Sequence, residues 1–303
     1  MFSEGNKVIE CIPNFSEGND LSIIEAIKTA IESVREVALL HVDISKAANR
    51  TVFTFVGNPE AVCEAAFRAI EIAGKRIDMT KHKGEHPRLG ATDVCPLVPL
   101  ANIKIEEVNM YAHSLAKRIG SEIGIPVYCY EYSSNREYRK SLEQIRHGQY
   151  ESLPTKIHIP GWEPDYGPRE FNPQSGACIV GARNFLVAYN INLETESVDI
   201  AKKIAKEVRE SGTFYSNPFT GELRKIPGIL KNVKAIGWYI SDFDVVQVSM
   251  NITNFVETPI YLVYETVKER AAAHGTKVTG SELIGLIPSL ALLEVGTYYA
   301  QKI

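Results

Sequence analysis

Two stretches of this chain run through the same order of apolar blocks, and that order restricts the fold more than any single motif does. Residues 8–12 read as a short apolar strand, closed by Pro13, Asn14 and the polar run 16–19. Asp20 can cap the helix that follows, where Ile23, Ile24, Ile27, Ala30, Ile31 and Val34 recur at helical spacing and form one apolar face. Residues 37–43 then make a buried strand ending in Asp43, and residues 51–56 alternate as its hairpin neighbour. Gly57, Asn58 and Pro59 turn the chain into a second helix, with Pro59 at a favourable first position, Val62, Ala65, Ala66, Ala69, Ile70 and Ala73 inward, and Gly74 near the end. A further strand is expected around residues 94–98. Strand, helix, strand, strand, helix, strand is the ferredoxin-like split βαβ order.

The second half repeats this loosely. Residues 185–192 read as a strand, 198–208 as a helix with Val198, Ala201, Ile204, Ala205 and Val208 on one face, and 236–240 and 245–251 as paired strands. The helix after Thr258 and Pro259 runs to Gly275 much as the one after Pro59 runs to Gly74, and a last helix is expected around 290–299. The fold class is therefore α/β (α+β), with two similar ferredoxin-like subdomains, residues 1–180 and 181–303, their mixed sheets packed together and helices outside. A chain of 303 residues with 45% hydrophobic side chains can build two such cores. Between the halves come a helix near 105–119, a strand at 126–130 and a charged helix at 135–147 whose charges read as a solvated face. Periodicity then stops from 153 to 181, where prolines and glycines accumulate among Trp162, Tyr166 and Phe171, a long ordered loop with flat apolar surfaces suited to a ring system. Residues 211–231 look like a surface excursion.

Net charge of −4 argues against a general nucleic-acid surface and in favour of a small-molecule ligand. The five cysteines (Cys11, Cys63, Cys95, Cys129, Cys178) are scattered singly, a reduced cytosolic pattern, and Cys11 and Cys95 read as buried thiols. With no apolar signal core and no run approaching 18 apolar residues, the expectation is a soluble, cytoplasmic protein without membrane partners. Neither nucleotide-binding glycine motif is present; residues 176–181 have the spacing of a phosphate loop and lack its lysine.

Residues 82–96 (His-Lys-Gly-Glu-His-Pro-Arg-Leu-Gly-Ala-Thr-Asp-Val-Cys-Pro) hold the chain's densest collection of proton-transfer and turn residues. His82, Glu85 and His86 fit H-x-x-E-H, a zinc-hydrolase signature that needs a helix. Gly84 inside the turn and Pro87 straight after His86 favour a loop entering a strand, so no metal is expected. The other chemical reading is an imidazole working as general base and acid, since its ordinary pKa of about 6.5 allows proton exchange near neutrality. A surface loop with incidental histidines stands beside it as the bland alternative.

The same run resembles the formiminotransferase domain of the formiminotransferase-cyclodeaminase family, which carries a nearly identical H-K-G-E-H-P-R-x-G-A-x-D-V-C-P segment. Residues 10–18 (Glu-Cys-Ile-Pro-Asn-Phe-Ser-Glu-Gly), 49–52 (Asn-Arg-Thr-Val), 162–168 (Trp-Glu-Pro-Asp-Tyr-Gly-Pro) and 181–183 (Gly-Ala-Arg) extend the resemblance over essentially the whole chain. It implies transfer of a formimino group from N5 of 5-formiminotetrahydrofolate to the amino group of glutamate, in histidine breakdown. The tetrahydrofolate derivative is then substrate and carrier, without metal or nucleotide, and the assembly is a homodimer. The family's catalytic histidine precedes Pro-Arg, which corresponds to His86 and not to His82. Glutamate's ammonium must lose a proton and the departing folate nitrogen must gain one, and one histidine can do both. Asp43 is the candidate for orienting the imidazole, and His82 is a secondary site residue. Arg50, Lys83, Arg88 and Arg183, each in a family-like motif, are candidates for the carboxylates of glutamate and folate. By resemblance the long loop adds folate contacts from Gly167, Pro168, Arg169, Glu170, Phe171, Asn172, Pro173, Gln174, Ser175 and Gly176.

Attack produces a tetrahedral centre whose nitrogen is already cationic, so no oxyanion hole is required, and no nucleophile elbow occurs. Three other readings compete: a related enzyme acting on another N5-substituted folate such as 5-formyltetrahydrofolate, a non-catalytic folate-binding protein, and a zinc hydrolase. Bifunctional mammalian relatives continue into a cyclodeaminase domain past the point where this sequence stops, and that second activity is not expected here.

Overall fold

A computed structural model of the chain describes residues 5–216, 222–241 and 243–302, divided into two compact units, Met1–Asn184 and Phe185–Ile303. The first unit contains β1 (Val8–Cys11), β2 (Asn14–Phe15), α1 (Leu21–Glu32), β3 (Val37–Ser45), β4 (Arg50–Gly57), α2 (Pro59–Arg76), β5 (Thr92–Ala101), α3 (Ile105–Arg118), β6 (Val127–Cys129), α4 (Leu142–Arg146), α5 (Gln149–Lys156) and β7 (Cys178–Ala182). Its helices start where the sequence supplies partners for their unpaired N–H groups. The Asp20 carboxylate accepts from the amides of Ser22 and Ile23, and Asn58 accepts from Ala61 with Pro59 in the first turn.

The seven-stranded sheet runs β3-β4-β1/β2-β5-β7-β6, with β1 and β2 lying in succession between β4 and β5. Pairing is antiparallel as far as β5 and parallel from β5 through β7 to β6. Alternate strand residues Ile9, Cys11, Phe53, Phe55, Cys95 and Leu97 form one core with Ile24, Ile27 and Ile31 of α1, Val62 and Ile70 of α2, and Val108 and Leu115 of α3. Each fully buried Ile or Phe contributes roughly 1.5–3 kcal/mol. On the opposite face, Val94, Tyr128, Tyr130 and Ile179 cluster with Ile145 of α4 and Leu153 of α5. This second layer brings α4 and α5 against the start of β5.

Here the expectation for residues 135–147 fails. No continuous helix forms: a single 3-10 turn at Glu137–Arg139 precedes the short α4. Its arginines also do not make a solvated face. Arg139 is completely buried, with Nη2 2.5 Å from Asp165 and Nη1 donating to the Glu163 carbonyl, and Arg146 is turned onto Asp93. The guanidiniums go inward because buried carboxylates wait for them. The expected loop from residue 153 likewise begins inside a helix, since α5 carries Pro154 in its interior.

The second unit contains β8 (Val187–Leu193), α6 (Val198–Val208), β9 (Thr213–Ser216), β10 (Leu223–Ile226), β11 (Val233–Ile240), β12 (Val245–Ile252), α7 (Ile260–Ala273), β13 (Val278–Ile284) and α8 (Ser289–Ala300). Its four-stranded sheet has the order β11-β12-β8-β13 and is antiparallel throughout. This is the order of β3-β4-β1-β5 in the first unit, and the intervening helices fall at corresponding places. Sequence reading overlooked β2, β7 and β13. The first has two residues, the second (Cys178–Ala182) falls at the end of the stretch read as a loop to residue 181, and the third is an edge strand whose Thr279, Gly280, Ser281 and Glu282 carry little β signal. The expected excursion contains the β9–β10 hairpin, and residues 217–221 of it lie outside the described residues.

Candidate active site

Because β4 and β5 both run antiparallel to β1, their first residues emerge at the same end of the sheet, with Asn14 of β2 between them. Arg50 opens β4 and Asp93 is the second residue of β5. Arg50 Nη1 lies 2.7 Å from Asp93 Oδ2, and its Nε donates to Asn14 Oδ1 at 3.2 Å. Arg146 of α4 meets the same carboxylate from the other side, Nε at 3.2 Å from Oδ1 and Nη2 at 2.5 Å from Oδ2. The amide of Leu89 donates to Oδ1 as well. Burial alone would raise the Asp93 pKa, yet the guanidiniums of Arg146 and Arg50 outweigh it and hold the carboxyl well below its ordinary range. Burial in turn brings Arg50 down to about 10 against the pull of Asp93. Two guanidiniums share one carboxylate, so the cluster keeps one positive charge.

The loop between α2 and β5 crosses this cluster, held at several points. Glu85 donates its amide to the Ala47 carbonyl and Ala91 donates to Ser175. Gly90 and Gly176 pass so closely that a Cβ on Gly90 would stand 2.4 Å from the Ala177 oxygen, and Gly176 takes φ of +65°. Within the loop the two histidines differ. His82 Nε2 faces the Asn49 carbonyl at 3.0 Å and Nδ1 faces Arg88 Nε at 3.2 Å, so its neutral ring carries the proton on Nε2 and spends both nitrogens on the scaffold. His86 Nδ1 faces the Pro87 carbonyl at 2.7 Å, which places the neutral ring's proton on Nδ1 and its lone pair on Nε2. Burial, then the charges of Arg50 and Arg146, push the His86 pKa well below its ordinary value against the opposing pull of Asp93. His86 is therefore a neutral imidazole at pH 7.

Comparison with known proteins decides the family. A family model described as the formiminotransferase domain, N-terminal subdomain, matches residues 8–183, and one described as the formiminotransferase domain matches residues 188–303. The chain belongs to the formiminotransferase family. It is 46% identical over 296 residues to the formimidoyltransferase-cyclodeaminase of Gallus gallus, covering 98% of this chain and 53% of that protein. It is 44% identical to the glutamate formimidoyltransferase of Streptococcus pyogenes serotype M1 over 97% of this chain and 94% of that one, and 43% identical to the one from Thermoplasma acidophilum over 97% and 92%. The chain spans about half the length of the bifunctional relatives it matches.

In this formiminotransferase chain the candidate residues take different places. Arg88 is buried and nearly spent: Nη1 and Nη2 lie 2.8 and 2.6 Å from the Glu151 carboxylate, and Nη1 also donates to Gln149. Lys83 is exposed, and its carbonyl accepts from Asn49 Nδ2. Asp43 stands opposite Val52, and Ser45 opposite Arg50, so Asp43 and Arg50 leave the same face on a diagonal. The carboxylate whose charge bears on the His86 ring is Asp93. Arg183, just past β7, donates to the Asn184 carbonyl and lowers the pKa of Glu10 against the larger effect of burial. Of the long loop, Gly167 takes φ of +83° and Arg169 and Glu170 are exposed. Asn172 closes a turn by accepting the amides of Gln174 and Ser175, Gln174 ties the segment to the end of α2, and Phe171 leans on Tyr150 at 5.4 Å between ring centroids. Tyr150 in turn donates to the Pro173 carbonyl. Sequence reasoning missed Asp93, Arg146, Asn14 and Asn49 as working residues. Asp93 carried a signal, an acid among the apolar residues of a central strand. Among the described residues no three His, Cys, Asp or Glu side chains are grouped to hold a metal ion.

Proposed function

We propose that this protein transfers the formimino group of 5-formiminotetrahydrofolate to L-glutamate, reversibly, with His86 moving the proton. The observation that carries the reading is the placing of His86, its Nδ1 2.7 Å from the Pro87 carbonyl and its ring kept neutral beside a cluster of net positive charge. Nε2 takes a proton from the ammonium of glutamate, and the freed amine attacks the amidine carbon. The imidazolium then returns the proton to N5 of the folate as the C–N5 bond breaks, giving tetrahydrofolate and N-formimino-L-glutamate. Arg50 and Arg146 are the cations we assign to a substrate carboxylate. An incoming carboxylate cancels their surplus charge and raises the basicity of His86 as the substrate arrives. Asp93 tempers those arginines, and Asp43 remains the candidate for orienting the imidazole. His82 and Arg88 fix the loop, and residues 167–176 form the folate wall. The relatives named glutamate formimidoyltransferase, matched over nearly their full length, support the choice of acceptor.

The test is formimino transfer by purified protein, with His86→Ala and His82→Gln beside it and folate binding measured for each. Loss of about 10²–10⁴-fold in kcat for His86→Ala with folate still bound is the expected result. Folate binding without transfer by the wild type would sink the proposed donor or acceptor. We extend the reading to a cytoplasmic homodimer, tested by light scattering on the eluted protein. No helix among the described residues is long and apolar enough to cross a membrane.

A further inference from the structure

Helix α4 carries the second arginine of the charged cluster, and by itself it is a poor support. It has five residues, too few to stabilise a helix in isolation, and its last carbonyls need partners from outside it. Ile145 anchors it in the cluster of Tyr128, Leu153 and Ile179. Gly148, at φ of +80°, then reverses the chain into α5, whose first residues support the histidine loop. Gln149 and Glu151 accept from the Arg88 guanidinium, and the Tyr150 amide donates to the Arg88 carbonyl. The two helices therefore hold the site at two points, α4 through Arg146 on Asp93 and α5 through Arg88.

Lys156, the last residue of α5, returns to the end of α4. Its Nζ donates to the Ile145 carbonyl at 2.6 Å and to the His147 carbonyl at 2.9 Å, the two residues on either side of Arg146. The Trp162 ring lies against the same ammonium, its centroid 4.2 Å away. A neutral donor would be less costly here, because Lys156 is only 7% exposed and its partners are carbonyls and an indole, none of them a carboxylate. Burial and the nearby charge of Arg139 bring its pKa down to about 8, so it is still an ammonium at pH 7. What lysine supplies is geometry: three N–H groups on one nitrogen at the end of a long chain, enough for two carbonyls that flank one residue. The charge also stands at the C-terminal end of α4, where the carbonyl dipoles favour it. Fixing the backbone on both sides of Arg146 fixes where its side chain starts, and the guanidinium has to meet Asp93 at two points, 3.2 and 2.5 Å.

We propose that Lys156 is a positioning residue for the reaction: by clamping the carbonyls of Ile145 and His147 it holds Arg146 on Asp93, and through that arginine it sets the charge around His86. The inference rests on the functional reading above for its effect on turnover, whereas the positioning itself is read without it. The experiment follows the His86 ring by nuclear magnetic resonance through a pH titration of the whole chain, the signal being assigned by its loss in His86→Gln. Wild type, Lys156→Met, Arg146→Gln and the double variant are compared, with thermal melting recorded and formimino transfer assayed for each. Arg146→Gln is expected to raise the His86 pKa by at least about half a unit, because one of two neighbouring cations is gone, and Lys156→Met to raise it by a similar amount. In the double variant the shift is that of Arg146→Gln alone, since the lysine acts through the arginine. The kcat/KM for transfer should fall at least about tenfold in each single variant and no more than about twofold further in the double. Equal His86 titrations in wild type and folded Lys156→Met overturn the proposal. So does an additive shift in the double variant, which a loosened fold, or the lost lysine charge acting through space, would give. Lys156→Gln, uncharged and one atom shorter, takes the place of Lys156→Met if that variant does not fold, and is read in the same way. A wild type without transfer activity removes the functional reading and leaves the titration to decide what holds Arg146, so the two failures are distinct.

Discussion

β3-β4-β1-β5 in the first unit and β11-β12-β8-β13 in the second follow one strand order, yet the two sheets keep their polar groups in different places and of different kinds. In the first unit the chemistry stands at the strand ends and in the loop after α2, as full charges: Arg50, Asp93 and Arg146. In the second it lies in mid-strand, as carboxamides around a single carboxylate. The contrast follows from what each sheet carries. The first is extended by α3, β6, β7, α4 and α5, and α4 supplies the second arginine and so allows a buried carboxylate to be balanced. The second has four strands, and Asn190, Asn192, Gln247 and Glu282, a row of polar side chains across it, bond to one another as neutral amides around an edge carboxylate.

The largest effect is expected from breaking the charged cluster. Asp93→Ala leaves Arg50 and Arg146 facing each other without the carboxylate, and removing one partner of such a buried set costs about 3–5 kcal/mol. Urea unfolding of wild type and variant measures it, and a cost under about 1 kcal/mol would show that the guanidiniums reach water when the carboxylate is gone. Next comes the neutral row. Gln247→Leu removes the acceptor of the Trp238 indole and the donor to Asn192, with an expected cost of about 1–3 kcal/mol in the same assay. If this substitution stabilises the protein, the row is a liability to folding, which sharpens the contrast.

Most of the architecture was legible because it rests on periodicity. Apolar spacing located α1, α2, α6 and the paired strands, and Asp20, Asn58 and Pro59 marked where helices begin. The site was legible only in part. His86 stood out through its motif, whereas Arg146 sits in a stretch whose charges look solvated until α4 turns them onto β5. The amide row was invisible for a related reason: Asn190, Asn192, Gln247 and Glu282 come from three strands, and pairing register alone assembles them. Local pattern shows which face a residue takes, and only the pairing shows what stands beside it there.

A pH series separates the units next. The folded pKa of His86 lies well below the unfolded value of about 6.5, so below that pH the unfolded chain binds a proton that the folded chain refuses. Stability therefore falls as pH drops from about 6.5, His86 contributing at most about 1.4 kcal/mol per pH unit, and His86→Gln removes that share while leaving the smaller one of His82, whose pKa burial also lowers. Asp93 adds nothing in that window because it is ionised in both states. Its contribution, from a lowered folded pKa, is present above about 3.9 and is lost only as pH falls further through the folded value. Kinetics should agree: the acid limb of kcat/KM, which reports the free protein, lies below 6.5, and that of kcat lies higher once a bound carboxylate offsets the arginines. Limbs at the same pH would place the carboxylate elsewhere.

The smallest effect provides the control on which the comparison depends. Helices α1 and α6 hold equivalent places, and each carries an i,i+3 ion pair on its surface, Lys28 with Glu25 at 3.3 Å and Lys202 with Asp199 at 3.5 Å. Water screens both pairs, and ordering two long side chains offsets the Coulombic gain, so Lys28→Ala and Lys202→Ala should each change stability by no more than about 0.5 kcal/mol, with no effect on folate binding. Equal and small changes would show that the two units respond alike where their surroundings are alike. The large cost at Asp93 is then a property of that site, and a shift of several kcal/mol from either lysine would mean instead that one unit is marginal as a whole and magnifies every substitution made in it.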